Sequence, residues 1–510
     1  MGEAKSRQKE GFSVAAEAVS VETAGGRIQV RWDDDSAATP FGQMAFFIEF
    51  LTLTGLFDKW VESCPLDYQG PHASSKRDIL GTWLIAILSG HRRYSHITTI
   101  RADGVTPGLL GMARTVSEDT VRRALSAIAE NGGEAWLQTQ LDASIQPLLS
   151  TPWIWDVDVT VKSLYGKQEG AEVGYNPKKL GRPSHAYHTH QMSGLRLILG
   201  VDVEPGNESN AIHTLPGILR RYDALPSQQR PYLIRGDIAF GNERVMKGLE
   251  DRSGKYLFKL RLTKNVKRYI NQIFWSNEWE DAGQGWQGRH GELTLTGWSR
   301  ARRVVVLRRQ LIGEILLADE ARQLELAFVE TDVPAKRYEY AVLVTNVAHD
   351  IRATAQLYRD RADSENTFDE LKNQWGWGGF TTSDLDRCKL SAMGVALIYN
   401  WWSLFVRLAH PKARMEAITS RPLLLTGVAR MTQHAGQQHL AITPIHGNSE
   451  KAATLLTDVS RRLKEWKRSA EQLLSKSVWL HVCDYVSTQV TGVHWISASE
   501  IQRLPAPETG

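Results

Sequence analysis

The spacing of hydrophobic positions along the chain changes at about residue 153. Before it, apolar runs at 41–57, 77–89 and 117–129 have helical spacing, and Ser117 provides an N-cap for the third run. From 153 to 161 apolar and polar residues alternate, which predicts a β-strand. The pattern therefore predicts a flexible tail over 1–38, a helical domain over 39–150 and then an α/β region.

The α/β region is predicted in two pieces, 151–262 and 338–380, separated by a β-rich insertion over 263–337 and followed by a helical C-terminal region over 381–510. The expected segments are strands at 195–203, 231–235, 256–262, 292–298, 302–310, 324–330 and 338–347, and helices at 212–222, 243–250, 388–408 and 452–474. The insertion carries a cluster of arginines beside tryptophans, which makes it a candidate DNA-facing module. These are Arg300, Arg302, Arg303, Arg308 and Arg309.

Aspartates stand out at two places in the predicted strands. Asp156, Asp158 and Thr160 share one face of the strand at 153–161, and Asp237 follows the apolar strand at 231–235 between two glycines. A buried carboxylate needs a cation, a metal or a cleft, so these positions favour a functional site. A solvated edge strand for the first pair, and a helix N-cap for Asp237, remain alternatives.

The stretch 358–372 has no glycine or proline and predicts one helix. On it Tyr358, Arg361, Glu365 and Lys372 lie within a stripe about 60° wide. An exposed helix with i,i+4 ion pairs is one interpretation. The other is a face suited to a phosphodiester, where the carboxylate holds a metal and the cations hold phosphates.

Further cations precede and follow the first strand. Residues 104–125 are compatible with a helix-turn-helix that carries Arg122 and Arg123, although short helices of this kind are common without a DNA role. A polar loop is predicted over 166–190, with Lys178, Lys179 and Arg182 as DNA contacts. Its histidines, His185, His188 and His190, favour loop or nucleic-acid-facing positions over a metal site.

Composition limits the classes of protein but identifies none. The net charge of the 510 residues is only +4, so a nucleic-acid surface must be local. Three separated cysteines argue against a disulfide framework, and the polar N-terminus does not resemble a signal peptide. The apolar stretches at 80–88 and 394–409 are too short or interrupted to span a bilayer. We expect a soluble cytoplasmic protein with no membrane partner.

The motifs together resemble bacterial insertion-sequence DDE transposases. Tyr358, Arg361, Glu365 and Lys372, separated by two, three and six residues, match the Tyr-Arg-Glu-Lys signature of that group without gaps. The segment 158–160, an aspartate two residues before a threonine, is similar to the first motif of the family. The segment 235–240 is similar to the second, and 165–179 resembles a loop of its cut-and-paste branch.

The resemblance implies a ribonuclease-H-like core with a β insertion before the glutamate helix, a helical domain that binds DNA ends, and a C-terminal region used in pairing. Asp158, Asp237 and Glu365 would hold Mg²⁺, for which Mn²⁺ would substitute, with Thr160 and Asp156 in support. The spacing to threonine favours Asp158 over Asp156 as the ligand. Tyr358, Arg361 and Lys372 would contact the DNA backbone.

The implied reaction is hydrolysis at the transposon end, followed by attack of the freed 3′-hydroxyl on another phosphodiester. The partners would be double-stranded DNA and a second copy of the chain, in a bacterial cytoplasm and associated with the nucleoid when bound. If a DNA hairpin forms, an aromatic residue must hold an unstacked base, and Trp298 is the candidate, with packing as its alternative. A nuclease without strand transfer and a domesticated DNA-binding protein are the competing functions.

Overall fold

The computed structural model describes residues 18–31, 37–68, 70, 73–150, 152–311, 338–377, 379–380, 382–443, 447–473 and 477–492. The predicted strand at 324–330 lies outside these residues. The strands are β1 Val19–Thr23, β2 Gly26–Val30, β3 Ala37–Thr39, β4 Ile154–Ser163, β5 Glu172–Val173, β6 Pro183–Met192, β7 Leu197–Pro205, β8 Leu233–Gly236, β9 Tyr256–Lys259, β10 Glu280–Gly283, β11 Trp286–Leu293, β12 Arg302–Gln310, β13 Tyr338–Thr345, β14 Ala429–His434 and β15 Gln437–Ile442. The helices are α1 Met44–Thr54, α2 Leu56–Glu62, α3 Lys76–Leu88, α4 Ile97–Ile100, α5 Thr106–Leu109, α6 Glu118–Glu130, α7 Gly133–Ile145, α8 Ala211–Ala224, α9 Glu243–Glu250, α10 Lys264–Ile273, α11 Ile351–Arg359, α12 Ala362–Gln374, α13 Leu385–Ala409, α14 Ala417–Leu424, α15 Ser449–Leu473 and α16 Val478–Thr491.

A ten-stranded mixed sheet runs through the described α/β region, in the order β10-β11-β12-β13-β9-β8-β4-β6-β5, with β7 also paired to β6. β4, β6 and β7 are antiparallel neighbours, whereas β8 is parallel to β4 and β9 is parallel to β8. The connection from β7 to β8 contains α8, and the connection from β8 to β9 contains α9. The fold is therefore mixed α/β, as the sequence predicts.

A buried ion pair joins the two central parallel strands. Asp156 on β4 stands opposite Arg235 on β8 in the register. The guanidinium of Arg235 donates from Nε to Oδ1 of Asp156 at 2.6 Å and from Nη2 to Oδ2 at 2.7 Å. Ser364 of α12 also donates to Oδ2, and Arg235 donates to the carbonyl of Leu357 in α11. This one cluster thus connects β4, β8 and the two helices that follow the sheet.

The helices of the N- and C-terminal regions form one apolar core around α13. Phe47 of α1 packs edge-on against Trp402 and Phe405 of α13, each with ring centroids 5.2 Å apart, and Trp60 of α2 contacts Trp401 at 5.7 Å. Many tryptophans are therefore packing residues. Among the described helices, α13 alone is long and apolar enough to cross a membrane, but 94% of its apolar window is buried, as in a core helix.

Four predictions about secondary structure need correction. The loop predicted over 166–190 ends early, because 183–192 is β6, a nearly fully buried strand paired with β4. Within the tail predicted over 1–38, residues 19–30 form a hairpin and β3 pairs with β14. The helical region predicted over 381–510 contains the hairpin β14–β15. The strand predicted over 292–298 is wrong, because β11 ends at Leu293. The strands β10 to β12 of the insertion continue the core sheet, since β13 pairs with both β12 and β9.

The ion pair of Asp156 and Arg235 should be the most sensitive charged pair for stability. We expect Arg235→Met to lower the free energy of unfolding by about 3–5 kcal/mol, because it leaves a buried carboxylate without its counter-ion. Urea denaturation measures this loss. Lys247→Met breaks an exposed pair with Asp251 and serves as control, with an expected loss below about 1 kcal/mol. Equal losses in the two variants would contradict the structural role given to Arg235.

Candidate active site

The register of β4 and β8 brings the two predicted aspartates together. Val157 pairs with Gly236, so that Asp158 and Asp237 are the next residues along two neighbouring parallel strands, whose backbones lie about 4.8 Å apart. Gly236 is required at this point because a Cβ there would lie 2.7 Å from the ring of Phe240. Asp237 turns the chain, since its Oδ1 accepts from the backbone N–H of Ala239 at 2.9 Å.

The alternatives that the sequence left open for the two aspartates are resolved. β4 has neighbours on both sides, so it is not an edge strand. Asn242, not Asp237, is the N-cap of α9, because its side chain accepts from the N–H of Val245. Asp156 is fully engaged with Arg235 and Ser364, whereas the side chain of Asp158 retains 18% of its exposure.

The stretch predicted as one helix over 358–372 is two helices, with the break at Asp360 and Arg361. Tyr358 lies in the last turn of α11, and Arg361 is the N-cap residue of α12. The break turns the Arg361 side chain inward, where it is 7% exposed. Its guanidinium contacts Oδ2 of Asp158 at 3.3 Å and Oε1 of Glu365 at 3.0 Å. The break therefore places a cation between the first and third predicted carboxylates.

Asp237 and Glu365 both affect the pKa of Asp158 electrostatically. That pKa is raised to about 6 because burial, Asp237 and Glu365 raise it by more than Arg361 and the N–H of Val159 lower it. Burial also raises the pKa of Tyr358, and the same three carboxylates raise it again while Arg361 lowers it. Arg361 thus faces Asp158 directly, and the roles of Tyr358 and Lys372 at this cleft stay predictions.

The donor set suits a hard divalent cation, although the side chains are not gathered as a finished metal site. Carboxylate oxygens are the ligands that Mg²⁺ prefers, and the mutual repulsion of three carboxylates leaves negative charge to be neutralised. Within the described part of the chain, no group of three Asp, Glu, His or Cys side chains is close enough to hold a metal as it stands. Arg361 occupies the space between Asp158 and Glu365.

Several predicted DNA-binding residues lie near these carboxylates. Lys372 of α12 is half-buried, and burial lowers its pKa; Asp158 raises that pKa, and Lys178 lowers it again. Lys178 therefore approaches the site from the segment between β4 and β6. In the same segment Lys179 and Arg182 are exposed and each lies 4.8 Å from the ring centroid of Tyr165. Lys178 and Lys372 are thus close enough to interact electrostatically, whereas Lys179 and Arg182 contact the exposed ring of Tyr165.

Three other residues predicted to bind DNA lie away from the carboxylates or contact other groups. Arg122 is ion-paired to Asp119 of its own helix, and Arg123 is exposed on α6. Trp298 is partly buried with the guanidinium of Arg302 5.2 Å from its ring centroid, which fits the packing alternative. These three residues are not brought to the carboxylates by any contact in the described part of the chain.

The arginines of the insertion differ in exposure: Arg302 is buried, Arg303 and Arg308 are half-buried, and Arg300 and Arg309 are exposed, so the DNA-facing role stays a prediction. Arg302 is buried against Glu243 and Glu250. Arg303 donates to backbone carbonyls of residues 347 and 349, and Arg308 stacks on Trp279 at 3.8 Å. Carboxylates, backbone carbonyls and an aromatic ring of the fold therefore contact Arg302, Arg303 and Arg308.

The three histidines are buried strand residues, so neither a loop position nor a nucleic-acid-facing position is correct. His185 contacts the carbonyl of Glu169 at 2.8 Å, His188 contacts Thr214 at 2.6 Å and His190 contacts Asp202 at 3.3 Å. Burial lowers the pKa of His188 and of His190 to about 4. His188 and His190 are therefore neutral at ordinary pH, and all three histidines are buried side chains of β6.

The sequence does not predict the residues whose hydrogen bonds connect the strands of the site to α12. Arg235 and Ser364 bind Asp156 and so connect the strands to α12, and Gln191 of β6 donates to Thr367 at 3.2 Å. A signal for Arg235 was present, because an arginine inside an apolar strand requires a buried anion. Nothing comparable distinguishes Ser364 from an ordinary polar helix residue.

A cleft that combines carboxylates from two parallel strands and a helix with nearby cations is typical of enzymes that act on phosphodiesters. Comparison of sequences gives the family: residues 54–485 match the family described as Transposase DDE domain group 1. The match spans most of the chain, and the protein belongs to that family of DDE transposases. None of the curated proteins compared with the chain matches it.

Among solved structures, the chain is similar to that titled "Cryo-EM structure of piggyBac transposase synaptic complex with hairpin DNA (SNHP)". The alignment covers 94% of this chain and 89% of that chain, with 12% sequence identity and a TM-score of 0.36.

The raised pKa of Asp158 gives a test of the site in the metal-free protein. A carboxyl whose pKa is raised by folding, here from 3.8 to about 6, favours the folded state below pH 3.8, and this contribution is lost as pH rises through 6. Asp158→Asn should therefore increase the free energy of unfolding at pH 7.5 by up to about 3 kcal/mol, and by less at pH 4.5.

Urea denaturation with EDTA at both pH values measures this difference. Asp360→Asn neutralises an exposed carboxylate next to Arg361 and is the control, expected to leave stability nearly unchanged. A variant Asp158→Asn that is less stable than wild type at pH 7.5 would refute the crowding of negative charge at the site.

Proposed function

We propose that this transposase binds the terminal inverted repeats of a bacterial insertion sequence, cleaves at the ends and joins them to target DNA. The observation that carries the proposal is geometric: the register of β4 and β8 places Asp158 beside Asp237, and Arg361 contacts both Asp158 and Glu365. Asp158, Asp237 and Glu365 would be the metal ligands. The strand order, with two antiparallel neighbours on one side of β4 and two parallel strands on the other, supports a ribonuclease-H-like core.

Each of these residues would have a distinct role in phosphoryl transfer. Mg²⁺, or Mn²⁺ in its place, would supply Lewis-acid stabilisation of the attacking and leaving oxygens when bound by the three carboxylates. Lys372 and Arg361 would hold phosphates of the strand that carries the scissile bond. Tyr358 keeps its proton at ordinary pH, because burial raises the pKa of its hydroxyl, so it can donate a hydrogen bond to the DNA backbone.

Arg361 has to exchange partners in this scheme. Its guanidinium neutralises Asp158 and Glu365 in the protein alone, and a phosphate of bound DNA would offer it another anion. Moving toward DNA would release both carboxylates for the metal. The side chain would thus exchange one ion pair for another as the substrate enters.

The proposed roles of the chain segments follow from this site. Residues 39–150, with Arg122 and Arg123, would bind the transposon ends, and 151–262 with 338–380 would form the catalytic core. The insertion over 263–337 would continue the core sheet, and 381–510 would serve pairing in a homodimer. We expect the protein in the bacterial cytoplasm, associated with the nucleoid when it holds double-stranded DNA.

A joining assay tests the reaction and the role of Glu365 together. Full-length protein, DNA that bears the transposon ends, Mg²⁺ and a target plasmid should give joined products, whereas only nicks would identify a nuclease without strand transfer. Glu365→Gln should reduce cleavage at least 10³-fold, an order-of-magnitude expectation for a lost metal ligand (~4 kcal/mol), and leave end binding largely intact. Gel electrophoresis of labelled ends measures both steps.

The matched control for Glu365→Gln is Asp360→Asn, which neutralises an exposed carboxylate five residues away. It should retain cleavage. A Glu365→Gln protein that cuts at the wild-type rate would remove this residue from the site. Binding of ends without cleavage by the wild-type protein, at any tested metal concentration, would instead favour a domesticated DNA-binding protein.

Lys372 should contribute through its charge. Lys372→Ala is expected to weaken end binding and to make the slope of log affinity against log salt shallower by about 0.7–0.9, the change for one phosphate contact. Fluorescence anisotropy at several salt concentrations measures the slope. An unchanged slope would count against a phosphate contact by Lys372.

A further inference from the structure

A second lysine lies on the carboxylate-bearing face of β4. Side chains alternate along the strand, so Lys162 shares this face with Asp158 and Thr160. Lys162 lies four positions after Asp158, a distance of about 13 Å along the strand. The family signature does not include this position.

Lys162 is largely withdrawn from solvent and has no acidic partner among the described residues. Its ammonium group donates one long hydrogen bond, 3.4 Å to the carbonyl of Gly379, and lies 6.0 Å from the ring centroid of Tyr187. Burial lowers the pKa of Lys162 to about 8, and no carboxylate offsets that cost. A desolvated cation without a counter-ion destabilises a fold unless something else binds to it.

A small pocket opens beside this ammonium group. It has a volume of about 170 Å³ and is lined by Thr160, Val161, Lys162, Tyr187, Lys372 and Trp377. Lys372 also experiences the charge of Lys178. Two lysines, from β4 and α12, therefore line a space that is too small for a protein segment and large enough for an anion.

We propose that Lys162 and Lys372 form two sides of a pocket that binds one backbone phosphate of the transposon-end strand. The inference rests on the proposed function and extends it, because it adds Lys162, about 13 Å along β4 from Asp158, as a residue that binds the DNA strand. At a rise of about 3.4 Å per nucleotide, the phosphate lies within about four nucleotides of the scissile bond. Binding there would fix the strand relative to Asp158.

The role predicts opposite effects on stability and on binding. Lys162→Met, which keeps the aliphatic length, should raise the Tm of the DNA-free protein by a few degrees, on the order of 2–4 °C. It should weaken end binding about tenfold and make the salt slope shallower by about 0.7–0.9. A lysine that only supports the carbonyl of Gly379 would give no rise in Tm and no change in slope.

A scan with methylphosphonates identifies the phosphate itself. End DNA is prepared with one neutral methylphosphonate at a time, at the four phosphates on either side of the scissile bond. Wild-type protein should lose affinity at one position in particular, and Lys162→Met should lose no more when that position is neutralised. Lys162→Gln gives the same readout if Lys162→Met does not fold. The control is Lys247→Met at an exposed position of α9, which should match wild type.

The same scan with Lys372→Met separates the two levels of the proposal. Coupling of one phosphate to both lysines supports the pocket. Coupling to Lys372 but not to Lys162 overturns the pocket and leaves the proposed function in place. Absence of coupling to either lysine overturns both the pocket and the DNA-facing role of α12.

Discussion

The ion pair between Asp156 and Arg235 is the interaction on which the site depends. It fixes β4 against β8 in the register that brings Asp158 next to Asp237, and through Ser364 it holds α12, which carries Glu365. The carboxylate of Asp156, two residues before the predicted ligand, is therefore bound by protein groups on both oxygens. Its burial is tolerated because Arg235 satisfies both oxygens at 2.6 and 2.7 Å.

The groups around this pair are arranged at a cost to stability. Asp158 is held near two further carboxylates, and Lys162 is held away from any acidic side chain described. Arg361 relieves part of the first conflict by contacting Asp158 and Glu365. In the proposed function, a metal ion would neutralise the negative charge around Asp158, and phosphates would neutralise the positive charge of Lys162 and Lys372.

Local patterns predicted the elements that carry the site, and long-range pairing decided what they missed. Alternation predicts β4, the apolar run before Asp237 predicts β8, and helical spacing correctly places Glu365 and Lys372 on one helix, α12, but wrongly includes Tyr358 and Arg361 in it. The break at Arg361 was not predictable, because no glycine or proline marks it and the ion pairs that stabilise it come from β4. The sequence predicts a loop where β6 lies, because the polar residues of β6 find their hydrogen-bond partners outside the strand.

The packing of the terminal regions has a practical consequence for dissecting the protein. β3 pairs with β14, and α1 packs on α13 and near Trp479 of α16, so residues from the two ends complete a single core. A fragment that stops after the N-terminal helices would expose the aromatic surface of Phe47 and Phe50, and one that lacks them would expose α13. The two regions are halves of one folding unit, and truncation at either predicted boundary would yield aggregation-prone pieces.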